Sequence, residues 1–437
     1  EIPDVRVVYA NATADLALAL EKDKIDAYMT DEPLARMLLK SYPEQQVYCT
    51  VSYDSYGYVF CKDDPKSDAL REQMNEFLLQ LKNDGTMRIF YGYTGSGRTA
   101  GFANLSFEGG RAEAGKDGGA IVFAGTDGGW SDVFYATNCA FRNCSAPGGY
   151  GGATCDITCK DCLFKGNTAK MGGAAYGTAS NSNEAYTNDF LNCVFIDNTA
   201  TGANGGGALY CDRMGRVVGC AFTNNAATAG VGGALRIVRC GAYSTLSGGS
   251  FANCTASGSG GGAYGSVAFP LADTTFANCT STTGNGGGLF WGNTQDVVVA
   301  GCVFTNCTSI GYGCGIACNG GIAGLTNCTF VDCKMLPGQQ THGGAVYARD
   351  TPRKARLGFA VDCTFTGNSS TYGGGALFVH AIGEVARCTF TDNVATQSGG
   401  AIYCGSTIDR LTDSTFASNS VDSTVDSAGG GAVKAAA

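Results

Sequence analysis

The sequence predicts a right-handed parallel β-helix of about 11–12 turns over residues 98–437, preceded by a small α/β lobe over residues 1–97. Two observations predict the β-helix. A phenylalanine returns every 23 to 35 residues, and a glycine turn with a short apolar strand lies between most successive phenylalanines. A period of this size is typical of one β-helix turn, in which short strands bury a common core only by stacking on their neighbours.

Residues 1–97 follow a different pattern, in which short apolar strands alternate with helical stretches. Asp31 precedes a predicted helix over 34–41 and carries a side chain that is favoured at the N-cap. Cys49 and Cys61 lie in two strand-like segments and are candidates for a separate disulfide. This alternation indicates a mixed α/β unit.

The repeat places one phenylalanine in each unit, and the third residue after it is always asparagine or cysteine. In parallel strands stacked at about 4.8 Å per turn, these phenylalanines form one interior stack and the asparagines a hydrogen-bonded ladder. Paired glycines fit corners that need a positive φ or a close approach of two backbones. The phenylalanines are Phe141, Phe164, Phe195, Phe222, Phe251, Phe276, Phe304, Phe330, Phe365, Phe390 and Phe416.

The 22 cysteines follow the same frame. Equivalent cysteines of neighbouring turns would lie about one strand spacing apart, within the Cα separation that a disulfide tolerates. Two alternatives stay open, disulfides between turns or a ladder of buried thiols. We expect no metal site and no cofactor, since the one CxxC spacing, Cys159 to Cys162, has no partner pair. The candidate pairs are Cys139/Cys162, Cys193/Cys220, Cys302/Cys328, Cys363/Cys388, Cys254/Cys279 and Cys307/Cys333.

The composition favours an extracellular or cell-surface protein. A net charge of −9 argues against nucleic acid as a partner, and no run of 18 apolar residues predicts a transmembrane segment. The chain begins at Glu1 rather than methionine, so we expect a processed or truncated start. Cysteine-rich chains are typical of oxidising compartments. Candidate N-glycosylation sequons begin at Asn11, Asn104, Asn143, Asn253, Asn278, Asn306, Asn327 and Asn368.

The repeat resembles that of the chlamydial polymorphic outer membrane protein family, in which GGA[ILVY] and FxxN motifs alternate along a β-helix. The first motif reads GGAI at 118–121 and 399–402, GGAL at 206–209 and GGAV at 343–346, and the second recurs at five of the phenylalanines. The resemblance covers about three quarters of the chain. It implies surface display and adhesion rather than one particular ligand.

Residues 1–97 resemble the second half of a family 3 extracellular solute-binding protein. The matching segments read KIDAYMTDEP, YGYVFCKDDP and LLQLKNDGTMRIFY. The resemblance implies that Asp31 matches an aspartate that meets the amino group of a bound amino acid. The lobe that supplies the carboxylate-binding arginine in that family does not precede it here, so a docking or capping module is the alternative.

Acidic residues are scattered along the repeat instead of recurring in pairs on one face, which argues against a glycosidase or lyase. We therefore expect a non-catalytic extracellular structural glycoprotein. An incomplete last repeat over 429–435 favours a subunit of a head-to-tail filament, because an open strand edge invites self-association. A monomeric surface adhesin is the alternative, and an enzyme acting on polysaccharide is the second alternative.

Overall fold

The computed structural model has two compact units, which cover Glu1–Met87 and Arg88–Ala437. The first solenoid strand, Phe90–Thr94, therefore precedes the boundary at residue 97 that the sequence predicts. The structure describes residues 13–22, 24–25, 27–31, 35, 37–50, 56–61, 90–94, 99–125, 133–177, 188–293, 297–338, 342–348, 355–422 and 429–435.

The first unit contains a helix, Thr13–Glu21, and an antiparallel sheet of strands Ala27–Asp31, Gln45–Thr50 and Tyr56–Cys61, with the last of these in the centre. The Tyr28 hydroxyl donates to Gln45 Oε1 at 3.2 Å, and burial raises the pKa of this phenol to about 12. The parts of the predicted α/β unit at residues 1–12, 51–55 and 62–89 lie outside the described residues.

The second unit is a right-handed parallel β-solenoid, which confirms the predicted fold class. Each turn contributes up to four strands, and each strand pairs in parallel with its equivalents in the turns before and after it. First and second strands merge into a 23-stranded sheet because Leu209–Val218 and Leu235–Ser247 run through both positions without a turn.

The first strands follow the paired glycines, and the second strands follow a corner after them. Besides the two long strands, the first strands are Phe90–Thr94, Ile121–Gly125, Thr154–Cys155, Ala175–Gly177, Ala263–Gly265, Leu289–Trp291, Ile316–Cys318, Val346–Ala348, Leu377–Val379, Ile402–Cys404 and Val433–Ala435. The second strands are Thr99–Ala103, Val133–Thr137, Thr158–Lys160, Asn188–Leu191, Leu271–Ala272, Val298–Ala300, Ile322–Thr326, Arg356–Val361, Ala381–Ala386 and Ile408–Thr412.

The third and fourth strands form separate sheets of twelve and eleven strands. The third strands are Ser106–Glu108, Ala140–Arg142, Leu163–Lys165, Val194–Ile196, Ala221–Thr223, Ser250–Ala252, Thr275–Ala277, Val303–Thr305, Thr329–Val331, Thr364–Thr366, Thr389–Thr391 and Thr415–Ala417. The fourth strands are Ser145–Tyr150, Thr168–Met171, Thr199–Ala200, Ala226–Ala227, Thr255–Ala256, Thr280–Ser281, Thr308–Ser309, Lys334–Met335, Ser369–Ser370, Val394–Ala395 and Ser420–Val421.

The central phenylalanine of every third strand points into the solenoid. Neighbouring rings are stacked with centroids 4.6–5.0 Å apart and planes within 11° of each other, because parallel in-register strands repeat the same side-chain conformation at each step. Phe107, which the repeat frame of the sequence does not include, is the first ring of this stack.

The two glycines of each pair have different roles. Gly206 has a φ of +70°, which L-residues with a side chain rarely adopt. A Cβ on Gly207 would lie 1.8 Å from the carbonyl oxygen of Gly233 in the next turn. The paired glycines therefore provide both the positive φ and the close backbone approach that the sequence predicts.

Candidate ligand-binding face

The outward position of the first strands carries a line of large side chains, which we call the aromatic ladder. The strand register aligns nine of these side chains in successive turns. Seven of the nine are aromatic, and the other two are Arg236 and Ala317. Since the phenylalanine stack fills the interior, these rings are additional to the core. The ladder consists of Tyr176, Tyr210, Arg236, Tyr264, Phe290, Ala317, Tyr347, Phe378 and Tyr403.

Arg236 takes the place of an aromatic ring within the ladder. Its guanidinium carbon lies 5.5 Å from the ring centroid of Tyr210 and 5.1 Å from that of Tyr264, and its Nη1 donates to Asn204 O at 2.8 Å. A guanidinium between two ring faces gains cation–π attraction from both. Burial raises the pKa of Tyr210, and the charge of Arg236 opposes that increase. Arg236 therefore connects the rings of Tyr210 and Tyr264 within the ladder.

Further along the solenoid the ladder widens into an aromatic cluster. The His342 ring is stacked 4.1 Å from Phe378 and makes an edge contact with Tyr372, whose centroid is 4.5 Å away. Tyr312 is stacked 4.5 Å from Tyr347. Since all of these rings except Phe378 are partly exposed, the cluster offers a broad preformed surface of ring faces and edges.

A β-bulge lies between the two long strands, Leu209–Val218 and Leu235–Ser247, beside the aromatic ladder. We call it the arginine bulge. Met214 pairs with Cys240, whereas Arg216 pairs with Thr245, so residues 241–244 of the second long strand lie opposite Gly215 alone and three extra residues are inserted. Ser244 closes the insertion, because its Oγ accepts from Gly241 N at 2.6 Å and donates to Met214 O at 2.6 Å. Bulges redirect side chains away from the regular pleat.

The side chains around the arginine bulge are mostly basic, and Arg216, Arg239 and Tyr243 are exposed while Arg213 and Arg236 are half-buried. Tyr243 at its tip is 86% exposed, the largest exposure among the large apolar side chains that the structure describes. Arg213, Arg216, Arg236 and Arg239 lie on the same two turns. Two carboxylates face them: Asp189 pairs with Arg216 at 2.7 Å, and Asp212 pairs with Arg239. The local balance is four positive charges against two negative ones.

The residues singled out in the first unit do not form a site in the described part. Asp31 is the last residue of its strand, and its side chain lies outside the described residues. In the antiparallel register Cys61 lies opposite Gln45 and Cys49 lies opposite Tyr58. The side chains of both cysteines lie outside the described residues, so a disulfide between them stays a prediction.

The other twelve disulfide candidates form three runs of four cysteines in consecutive turns. All of them are buried and unbonded to one another, which is compatible with a ladder of thiols, and disulfides between turns stay a prediction. Each thiol adopts the same conformation and donates to the carbonyl two residues earlier, as from Cys254 to Ala252 O at 3.4 Å. Burial raises the pKa of Cys254, Cys279 and Cys307. The runs are Cys139, Cys162, Cys193 and Cys220; Cys254, Cys279, Cys307 and Cys333; and Cys302, Cys328, Cys363 and Cys388.

The candidate sequons are of two kinds. Asn11 lies outside the described residues, and Asn104, Asn143, Asn253, Asn278, Asn306 and Asn327 are exposed with φ between 51° and 59°. Asn368 is fully buried, and its Nδ2 donates to Phe330 O at 3.0 Å and to Asn393 Oδ1 at 2.9 Å. A glycan on Asn368 would break both hydrogen bonds, so we expect this sequon to stay unmodified in the folded solenoid.

The acidic and histidine residues considered for catalysis are dispersed. Asp189 and Asp212 are bound to arginines, and Asp409 pairs with Arg356. Across the described residues, no group of three or more histidine, cysteine or carboxylate side chains is arranged to hold a metal ion. The arrangement with a recognisable chemical role is therefore the exterior face of rings and guanidinium groups.

Comparison with known proteins identifies the repeat. A right-handed β-helix region matches residues 191–358, and the Chlamydia polymorphic membrane protein repeat matches residues 362–380 and 387–405. The chain therefore contains a β-helix with repeats similar to those of Chlamydia polymorphic membrane proteins. No curated protein and no solved structure matches it. Of the helices that the structure describes, none has the length and apolar character needed to cross a bilayer.

In this polymorphic membrane protein-like chain, each of the two matched repeats contains one member of the aromatic ladder, Phe378 or Tyr403. Repeats of this type indicate a surface or outer-membrane β-helix protein. The glycine turns are predicted by the sequence, whereas the arginine bulge is not among its predictions. The signal was present in one repeat unit, where Arg236, Arg239 and Tyr243 fall within eight residues.

Proposed function

We propose that this protein is a non-catalytic, surface-displayed binding module that attaches to a partner surface through its aromatic ladder. The observation that carries the proposal is a row of stacked rings on the outside of a solenoid whose interior is already filled by another row of rings. Tyr176, Tyr264, Tyr347 and Tyr403 are partly exposed, whereas Tyr210, Phe290 and Phe378 are buried between them. A contiguous apolar patch of this kind on a solvent-facing surface is typical of interaction sites.

The ladder is ordered by the fold before any partner arrives. Tyr176 and Tyr210 have ring centroids 4.9 Å apart, and Phe378 and Tyr403 have centroids 4.5 Å apart. Because the strands fix these side chains, binding loses little conformational entropy at this face. Aromatic side chains also contribute most to interface energies, which supports a binding role over a purely structural one.

Surface location is supported by the polymorphic membrane protein-like repeats. A non-catalytic role is supported by the acidic side chains, several of which are neutralised by arginine: Asp362 by Arg387 at 2.7 Å and Glu384 by Arg410 at 3.7 Å. A carboxylate whose pKa an adjacent arginine lowers, as Arg387 does for Asp362, is a poor general acid. The head-to-tail filament stays a prediction, which light scattering of the protein in solution tests.

Attachment of beads coated with the full chain to cultured cells tests the proposal. Replacing Tyr347 and Tyr403 by serine should lower attachment at least about tenfold, since each removes a contact ring. Replacing Thr364 and Thr389 by alanine on the outside of the third strands is the matched control, and attachment should stay within twofold. Equal attachment by all three proteins contradicts the proposal. Light scattering of the free protein in solution distinguishes monomers from filaments. Filaments that form while the beads fail to attach would favour the structural role instead.

A further inference from the structure

We propose that the arginine bulge binds an acidic glycan, a saccharide chain that carries sulfate or carboxylate groups. This inference rests on the proposed binding function and adds the class of partner that one part of the face recognises. The site consists of Arg213, Arg216, Arg236, Arg239 and Tyr243, all on two adjacent turns.

The positive charge at this place is concentrated and not fully neutralised. Arg213 lies directly opposite Arg239 in the register, so two like charges start from backbones about 4.8 Å apart. Asp212 occupies Arg239, and Asp189 holds Arg216 through two guanidinium nitrogens, at 2.8 Å from Nε and 2.7 Å from Nη2. In a chain of net charge −9, this arrangement favours an anionic ligand over a cationic one.

Arg213 is not paired with either carboxylate of the site, since these bind Arg216 and Arg239. The Nε of Arg213 and the Nε of Arg236 are buried, so a ligand can approach these two guanidinium groups only at their terminal nitrogens. A sulfate or carboxylate oxygen is the acceptor that a guanidinium binds best, through two parallel hydrogen bonds. The charge of Arg213 therefore indicates the same class of ligand.

Tyr243 indicates a sugar rather than a bare anion. Its ring is 86% exposed at the tip of an insertion that Ser244 anchors to the strand beneath it. An exposed ring on a rigid base offers a face against which the C–H groups of a pyranose can stack, while the arginines beside it bind the acidic substituents. The basic residues are confined to two turns, which disfavours nucleic acid, whose phosphates need an extended basic surface.

Calorimetric titration of the full chain with a sulfated heparin octasaccharide tests the inference, at about 0.15 M salt where weak surface attraction is screened. Replacing Arg213 and Arg239 by glutamine should weaken binding at least about tenfold, and Tyr243→Ser should weaken it by about threefold to tenfold. The control replaces Arg142 and Lys165 by glutamine, which removes the same charge from the third strands and should change Kd by less than twofold.

Three outcomes overturn the inference: no binding of the octasaccharide, equal weakening by the control, or equally tight binding of single-stranded DNA of the same charge. Octasaccharide binding that is lost in the Arg213 and Arg239 variant but kept in the control supports it. Bead attachment separates this result from the proposed function. If attachment depends on the ladder tyrosines but is unchanged when Arg213 and Arg239 are replaced, the glycan site is refuted and the proposed function is not.

Discussion

Asn167 donates twice to one atom of Asn198 in the next turn: its backbone N–H at 3.0 Å and its side-chain amide at 2.9 Å both reach Asn198 Oδ1. The same amide of Asn167 also donates to Phe141 O at 3.1 Å. Each buried asparagine therefore satisfies two backbone groups of the preceding turn, as Asn198 does for Asn167 N and Phe164 O. Polar residues are retained inside the solenoid because they replace hydrogen bonds that the turning backbone cannot make with itself.

Removal of one ladder asparagine should be costly. Asn198→Ala leaves two donors of Asn167 without an acceptor and removes the donor to Phe164 O. We expect a loss of about 3 kcal/mol or more in the free energy of unfolding, from the cost of unsatisfied buried groups. Urea unfolding followed through the buried indole of Trp291 measures it. Asn224→Gly, at an exposed asparagine with φ +56°, is the control and should cost little; equal losses would contradict the prediction.

The second glycine of a pair should not tolerate a methyl group. In Gly207→Ala the new Cβ would lie 1.8 Å from Gly233 O, so two turns must separate locally. We expect a loss of about 3 kcal/mol, at the upper end for overpacking. At the equivalent Gly431 nothing lies within 4 Å, and Gly431→Ala should change stability by less than about 0.5 kcal/mol. The prediction fails if the two variants unfold at the same urea concentration.

The reactivity of Cys240 should depend steeply on pH. This thiol is half-buried, and burial raises its pKa to about 11, so only a small fraction is thiolate at pH 8. In a Cys49→Ser, Cys61→Ser background, its reaction with an aromatic disulfide reagent should accelerate about tenfold per pH unit between pH 8 and 10. The same phase should disappear in Cys240→Ser, and its persistence there would assign it to another cysteine.

Glycosylation should discriminate between the sequons. In a glycosylating host, peptide mass spectrometry of the folded protein should find Asn368 unmodified, because its amide is buried and bonded to Phe330 O. Asn253, Asn278 and Asn306 occupy equivalent exposed positions in consecutive turns, about 4.8 Å apart, so neighbouring ones should not be modified on the same molecule. A glycan at Asn368 in soluble protein would contradict the buried ladder.

The architecture of the second unit could be predicted because its period is visible in the sequence. Phenylalanine, paired glycines and the residue three positions after phenylalanine each have one steric role that is repeated in every turn. Phe107 escaped this frame because Gly110 stands where the other units have asparagine or cysteine. Its ring nevertheless stacks on Phe141, since the register of the third strands, not the identity of the following residue, places it.

Features that depend on register rather than period could not be predicted. The arginine bulge arises from a shift between Met214 and Arg216 that no spacing of phenylalanines reveals. The exposed sequons have a structural origin: asparagine tolerates the left-handed turn beside each third strand, and the cysteine and threonine after it enter the core and the next strand. Cysteine pairing was also indeterminate, because Cys162 has an equivalent cysteine on both sides, Cys139 and Cys193.

The restriction of contacts to neighbouring turns has a consequence for how such a chain can change in evolution. A duplicated or deleted unit leaves every remaining interface intact, provided that it spans one complete turn. Each such event shifts everything beyond it by about 4.8 Å along the axis. The distance of Tyr243 or Tyr403 from any anchoring point can thus change in small equal steps. The residues around each tyrosine, and so the contacts it can make, stay the same.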